Sequence, residues 1–205
     1  MPTVSIRVRP PRPCRMNALA RAILVVSCAL LFACGPPTEH TSWREEVELS
    51  DGRVITVERT VTWQDVTPWG QSKSYLTRSL TIEILTESGR AAAPTWRAQR
   101  ERALLLDWDA SNGEYMLVTY PAACSRYNEA GRPQPPYIQY RLRNGEWTPV
   151  PFEAALVGRR ANMLVYPHVS REHGLLTVSQ KEELQGGLPR PAGQLVGEGG
   201  RPGCG

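Results

Sequence analysis

Hydrophobic and polar side chains alternate along residues 43–63, and this is the clearest structural pattern in the chain. Trp43, Val47 and Leu49 share one face of a first segment. The hydrophobic residues of the next segment also share one face, and they are Ile55, Val57, Val61 and Trp63. Alternation with a period of two is typical of half-buried β-strands. The pattern therefore predicts an antiparallel hairpin with one buried face.

Two loop lengths compete for the turn of this hairpin. A two-residue turn at Asp51 and Gly52 would place charged residues opposite the apolar face. A three-residue loop over residues 50–52 places Val47 opposite Ile55, and residues directly opposite in an antiparallel pair lie on the same face. Because this register keeps the two faces distinct, we predict the three-residue loop, a type I turn with Gly52 in the left-handed conformation.

The rest of the pattern predicts more strands and little helix. Asn144-Gly145 is a strong two-residue hairpin signal, and Tyr75–Leu85 alternates as a strand. The other predicted elements are a hairpin around residues 109–113, a weak strand over 163–166, a turn over 152–157 and a short helix over 180–185 capped by Ser179. The expected fold is mainly β, a single compact antiparallel sandwich or partly open barrel built of hairpins, with little helix.

A hydrophobic run near the N-terminus is typical of an export signal. Arg21 precedes a hydrophobic run of 11 residues, 22–32, which is too short to span a bilayer because a span takes roughly 20 residues. The run leads into Leu31-Phe32-Ala33-Cys34. This sequence resembles the lipobox of bacterial lipoproteins, in which a small residue precedes the cysteine that receives the lipid. The resemblance implies lipidation of Cys34.

This signal divides the chain into predicted parts. They are a lipoprotein signal peptide over 1–33, a lipidated tether over 34–42, a β-rich domain over 43–185 and a Gly/Pro-rich tail over 186–205. Residues 1–15 fit poorly before a signal peptide, so we expect translation to start at Met16 rather than at Met1. In Gram-negative lipoproteins an aspartate after the lipidated cysteine commonly retains the protein at the inner membrane. Gly35 occupies that place here, so the resemblance implies the outer membrane, with the domain facing the periplasm.

The net charge of +4 belongs to the N-terminal segment. The chain has 24 basic and 20 acidic side chains, and residues 1–33 contain five arginines and no acid. The remainder is therefore close to neutral. A nucleic-acid-binding domain needs a basic patch, so we expect no nucleic-acid partner. A hydrophobic content of 41% with 21% charged residues excludes wholesale disorder and a multi-span membrane protein.

Two cysteines, Cys124 and Cys204, remain after the signal peptide and Cys34 are set aside. Paired cysteines form disulfides in oxidising compartments. A bridge between these two would close a loop of about 80 residues and contribute roughly 4–5 kcal/mol by chain entropy. The alternatives are a buried free Cys124 or a free Cys204 on a mobile tail.

Aromatic and basic residues in predicted loops are candidates for ligand contact. The aromatic candidates are Trp69, Trp96 and Tyr127, and the basic ones are Arg97, Arg100 and Arg102. Exposed aromatic rings stack on sugars or peptides, and arginines attract anionic lipid head groups. A connector, or an edge strand blunted by charge, is the alternative interpretation of residues 96–102.

Three groups of residues have only a loose likeness to catalytic or metal sites. Residues 107–114 alternate oxygen ligands as a calcium loop does, but the glycine is misplaced, and an acidic hairpin turn explains them. The glutamates of the first hairpin are Glu45, Glu46, Glu48 and Glu58, and a solvated strand face, with Glu58 paired to Arg44, explains them better than an active site. His168 and His173 lack a nucleophile motif. We therefore expect no catalytic residue, no metal and no cofactor.

The pattern Trp-x-Glu-Glu-Val-x-Leu-x-Asp-Gly-Arg-Val-Ile-x-Val-Glu-Arg over residues 43–59 resembles a group of short proteobacterial lipoproteins of uncharacterised function. They are similar to this chain in having a lipobox, a mid-chain cysteine, an Arg-Asn-Gly-x-Trp hairpin and a cysteine near the C-terminus, here Cys34, Cys124, residues 143–147 and Cys204. The resemblance implies lipidation and the pairing of Cys124 with Cys204. It implies no activity.

The leading hypothesis is a non-enzymatic, lipid-anchored envelope protein that binds another envelope protein. The alternative is a periplasmic binding module for glycan or lipid head groups that uses the exposed tryptophans and arginines. An enzyme ranks third because no nucleophile–base pair or metal cluster stands out in the sequence.

Overall fold

Two β-sheets form the domain in a computed structural model that describes residues 38–68, 70, 74–164, 174–186, 196 and 204. One sheet, called sheet A, contains β1 (Thr38–Glu48), β2 (Val54–Asp65), β3 (Tyr75–Leu85), β4 (Trp96–Gln99) and β9 (Leu175–Leu176), in the order β4-β3-β2-β1-β9. The other, sheet B, contains β5 (Glu101–Asp109), β6 (Glu114–Pro121), β7 (Ile138–Arg143) and β8 (Glu146–Val150), in chain order. All pairs are antiparallel except β1 with β9.

The mainly β prediction is confirmed, and the two sheets form a sandwich rather than a closed barrel. β1 begins at Thr38, so residues 38–42 of the predicted tether belong to the first strand. The weak strand predicted over 163–166 is wrong in its described part, because Met163 and Leu164 are buried core residues outside any strand. Residues 165 and 166 lie outside the described residues.

The first hairpin has the predicted three-residue loop. Val47 lies opposite Ile55. The Leu49 amide donates to the Arg53 carbonyl at 2.8 Å, and the Gly52 amide donates to the Leu49 carbonyl at 3.0 Å. Gly52 has φ +82°, the left-handed conformation that a side chain with a Cβ atom disfavours. The local rule that links loop length to register therefore holds here.

The other strongly patterned elements also match their predictions. β3 has the predicted limits. Asn144 and Gly145 both have positive φ, 50° and 81°, as a type I′ turn requires. The hairpin around residues 109–113 is present, with longer strands than predicted.

The chain passes from sheet A to sheet B at Arg100, between β4 and β5. Arg100 has φ +56°, which is uncommon for a residue other than glycine. Its amide donates to the Arg78 carbonyl of sheet A at 3.1 Å, and its carbonyl accepts from the Ala122 amide beyond sheet B at 2.7 Å. This single residue therefore joins both sheets through its backbone.

Apolar side chains fill the space between the sheets and also cover the far face of sheet B. The main core includes Trp43, Val57, Leu80, Leu106 and Leu117, among others from both sheets. A second cluster on the far face of sheet B consists of Leu104, Leu105, Met116, Val118, Tyr137, Leu156, Ala161 and Val196. Val196 belongs to the predicted tail, so at this point the tail packs against the domain.

Helix is confined, within the described residues, to α1 (Cys124–Glu129), the 3₁₀ turn Ala154–Leu156 and α2 (Val178–Gly186). The predicted cap of the last helix, Ser179, is wrong. Thr177 Oγ1 accepts from the Gln180 amide at 3.3 Å, while Gln180 Oε1 accepts from the Thr177 amide at 2.9 Å. This reciprocal pair is a capping box, and it begins the helix earlier than the sequence pattern predicted.

We expect Gly52→Val to destabilise the domain more than Asp51→Ala, because valine at φ +82° is strained by about 1–3 kcal/mol. Asp51 is exposed, and its contacts with Arg53 lie at the surface, so its loss should affect stability much less. Urea unfolding of the two variants measures the difference. Equal losses would contradict the assigned turn.

Candidate functional site

Two of the aromatic contact candidates are buried, and those predictions are wrong. Trp96 is 2% exposed and packs edge-on against Tyr140, with the ring centroids 5.4 Å apart. Its register opposite Ile82 in β3 turns it toward the core. Tyr127 is 5% exposed in α1, and its hydroxyl accepts from Gln134 Nε2 at 2.6 Å. Trp69 lies outside the described residues.

The three arginine candidates do not form one patch with an aromatic platform. Arg97 is exposed on the outward face of β4. Arg100 contacts the Ser125 hydroxyl and lies 3.6 Å from a Glu129 carboxylate oxygen. Arg102 is half-buried in β5 and lines a small cavity beside Thr77. The edge-strand interpretation of β4 is therefore correct, because β4 is the outer strand of sheet A.

The cysteines predicted to pair lie at disulfide distance. The Cα atoms of Cys124 and Cys204 are 5.4 Å apart, and their sulfurs lie at bonding distance. Cys124 begins α1, which follows β6. The pair therefore brings a residue of the predicted tail to the domain. Cys34, the predicted lipidation site, lies outside the described residues, as do His168 and His173.

Glu45 is fully buried on the inner face of sheet A, where the alternation of β1 places it between Trp43 and Val47. Arg59 Nη1 donates to its carboxylate at 2.7 Å. The Leu164 amide donates to the other oxygen at 2.9 Å, and Lys181 Nζ lies 3.3 Å away. Arg59 also stacks on the Trp43 ring at 4.8 Å. Four regions of the chain thus meet at one carboxylate.

The cations around Glu45 are themselves buried. Arg59 is 3% exposed, and its Nη1 also donates to the Leu164 carbonyl at 2.7 Å. Lys181 Nζ donates to the Asn162 carbonyl at 2.5 Å. Burial lowers the pKa of Lys181, and the neighbouring Glu45 charge opposes this change. The arrangement is a closed ion cluster rather than a free acid or base.

A second buried carboxylate, Glu101, lies where β5 begins. It accepts hydrogen bonds from Thr119 Oγ1 at 2.5 Å, from Arg126 Nε at 2.6 Å and from the Tyr140 hydroxyl at 2.8 Å. Burial and the Glu101 charge raise the pKa of Tyr140 above its ordinary value. This hydroxyl is therefore held as a hydrogen-bond donor.

Acidic residues of the β5–β6 hairpin are also paired. Asp107 accepts from the Ser50 amide at 2.7 Å and from Arg159 Nη1 at 2.6 Å. Hydrogen bonds from Ser111 and Arg141 lower the pKa of Asp109. The residues compared with a calcium loop thus serve as an acidic hairpin turn. Each buried carboxylate of the described residues is an acceptor in a structural network.

A cleft of about 660 Å³ opens on the outer face of sheet A. Its apolar lining includes Val54, Leu85 and Leu175. Ile55 borders the cleft, but it packs against the main core. Val54 is 54% exposed and Leu175 is 42% exposed, and they are two of the four large hydrophobic residues that are exposed in the described part of the chain. Exposed apolar side chains gathered in one concavity are typical of a contact surface.

Acidic side chains surround this cleft. Cross-strand register places Glu48 opposite Val54, and Glu58 opposite Glu83. Glu87 lines the cleft itself. Arg44 Nε binds Glu58 at 2.9 Å, as the sequence predicted. Like charges directly opposite each other are unfavourable. This end of the sheet therefore has a negative surface that Arg44, together with Arg90 in the turn that contains Glu87, only partly balances.

Sequence reasoning missed both the Glu45 cluster and this cleft. The position of Glu45, two residues after Trp43 and two before Val47, was the available signal for burial. No comparable signal marked Leu175, because β9 has only two residues and pairs with β1 from a distant part of the chain. Local periodicity does not identify such pairings.

No protein-family model, curated protein or solved structure matches the chain significantly. Among the described residues, no helix has the length and hydrophobicity needed to cross a bilayer.

We expect Glu45→Ala to destabilise the domain by about 3–5 kcal/mol, because it leaves Arg59 and Lys181 buried without their anion. Glu58→Ala removes an exposed pair with Arg44 and should cost less than about 1 kcal/mol. Chemical denaturation of both variants tests the contrast. A loss for Glu45→Ala no larger than that for Glu58→Ala would show that the cluster is not structural.

Proposed function

We propose that this chain is a lipid-anchored bacterial envelope protein that binds another envelope protein from the periplasmic face of the outer membrane. The lipid would be attached at Cys34. The proposal is supported by the lipobox-like sequence before Cys34 and by the cysteine pair of Cys124 and Cys204 at disulfide distance, because disulfides persist in an oxidising compartment.

The observation that carries the contact function is the cleft on the outer face of sheet A. Val54 and Leu175 expose apolar surface there, although the domain has two well-filled cores elsewhere. Burying such surface against a partner contributes about 25 cal/mol per Å². A protein partner supplies apolar side chains for this contact.

The buried carboxylates support a non-enzymatic role. Glu45, Glu101 and Asp107 each accept hydrogen bonds from fixed protein donors. General acid–base catalysis needs a carboxyl group within reach of a substrate proton. These three groups are instead occupied in holding strands and loops together.

One observation favours a second candidate, contact with anionic lipid head groups. Arg78 and Arg100 meet at the corner between the sheets, and Arg102 follows. The register of His40 with Thr62, and of Thr62 with Ser79, places this corner near the Thr38 end of the domain. Basic side chains near an anionic surface contribute about 1 kcal/mol each. Burial of Trp96 and Tyr127 removes two of the aromatic contacts expected for glycan binding.

The anchor is tested by labelling cells with palmitate. We expect the wild-type chain to incorporate the label and Cys34→Ala to lose it, because the thioether forms on this sulfur. Cys124→Ala is the matched control and should retain the label. Label retained in Cys34→Ala would refute lipidation at this residue.

The contact surface is tested with a photocrosslinking amino acid at Val54 in living cells. Val157 is the matched control, because it is 52% exposed compared with 54% for Val54 and follows the 3₁₀ turn that covers sheet B. We expect a discrete crosslinked protein from Val54 and none of that size from Val157. The same product from both positions would contradict the assigned surface.

A further inference from the structure

We propose that the cleft on the outer face of sheet A binds a partner segment with a short apolar centre and basic residues on either side. This inference rests on the protein-contact function proposed above, and it adds the chemistry of the partner.

The apolar centre follows from the lining of the cleft. Val54 and Leu175 lie at its surface, with Leu85 beside them. Leu85 is 9% exposed yet belongs to neither core cluster. The apolar area is small, so it fits two or three aliphatic side chains rather than a long amphipathic helix.

The basic flanks follow from the charge around that lining. Glu48, Glu83 and Glu87 form no ion pair with another described residue. Arg44 is paired with Glu58, and Arg53 is paired with Asp51. The surface around the apolar centre therefore has an excess of negative charge. Complementary potentials direct association and discriminate against partners of like charge.

Cross-strand register places these groups on one outward face. One row across the sheet contains Glu46, Thr56 and Leu85, and the neighbouring row contains Leu175, Arg44, Glu58 and Glu83. Adjacent rows on one face are about 7 Å apart, as are alternate residues of an extended segment. An extended segment can therefore contact the apolar centre and the acidic residues together.

The test uses the full-length processed protein in phosphatidylcholine nanodiscs and three fluorescent peptides. The first peptide is Lys-Lys-Ser-Leu-Val-Leu-Ser-Lys-Lys. The second replaces the lysines with glutamates, and the third replaces the Leu-Val-Leu centre with Thr-Ser-Thr. Fluorescence anisotropy measures binding, with empty nanodiscs as the blank. We expect saturable binding of the first peptide and at least tenfold weaker binding of the other two.

Variants of the protein locate the contact. We expect Glu48→Gln, Glu83→Gln and Glu87→Gln combined to weaken binding of the first peptide at least tenfold, and Val54→Thr with Leu175→Thr to do the same. Val157→Thr is the control and should leave binding unchanged. Circular dichroism identifies variants that fail to fold. A folded triple variant that binds as the wild type does would overturn the proposal.

Two further outcomes would also overturn it. Equal binding of the lysine and glutamate peptides would remove the charge argument. A loss of binding in Val157→Thr as large as that in the Val54 and Leu175 variant would place the contact outside the cleft. Failure of this inference can be distinguished from failure of the proposed function. A Val54 crosslink to a partner segment that is acidic or uncharged would support protein contact at the cleft but exclude a partner with basic flanks.

Discussion

The carboxylate of Glu45 has no exposed surface, and the positions of several elements follow from that constraint. An unpaired buried charge costs several kcal/mol, whereas a buried charge with ion-pair partners and hydrogen bonds is tolerated. Glu45 obtains its partners from Arg59 on the neighbouring strand, from the backbone of Leu164 and from Lys181 in α2. The first hairpin therefore depends on residues more than 100 positions later in the chain.

This dependence links the core to the proposed contact surface. Glu45 lies opposite Leu176 in β9, and its neighbour Arg44 lies opposite Leu175. When Leu164 and Lys181 bind Glu45, the short strand between them is placed at the edge of sheet A. Leu175 then completes the lining of the cleft. The same carboxylate thus stabilises the fold and positions an exposed apolar residue that the proposed partner contacts.

Sequence periodicity predicted the hairpins well, because loop length and alternation determine register locally, as Val47 opposite Ile55 illustrates. It failed where distant segments decide the environment. The local pattern predicts a loop at Trp96, but pairing with β3 turns this side chain into the core. A solvated strand face explains the glutamates of the first hairpin as a group, but the alternation places Glu45 on the internal face. Two of the groups that compensate its buried charge, Leu164 and Lys181, lie near the C-terminal end of the domain. Periodicity within one segment does not identify contacts between such distant parts of the chain.

Segment-resolved hydrogen exchange on Glu45→Gln tests this account most directly, because glutamine keeps the shape of the side chain and removes its charge. We expect amides of residues 174–186 to lose most of their protection while β5 to β7 retain theirs, since β9 and α2 are attached through the ion cluster and no residue of β5 to β7 belongs to it. Glu58→Gln should leave both regions unchanged. Wild-type protection over residues 174–186 in Glu45→Gln would contradict the claim that this carboxylate holds β9 and α2 on sheet A.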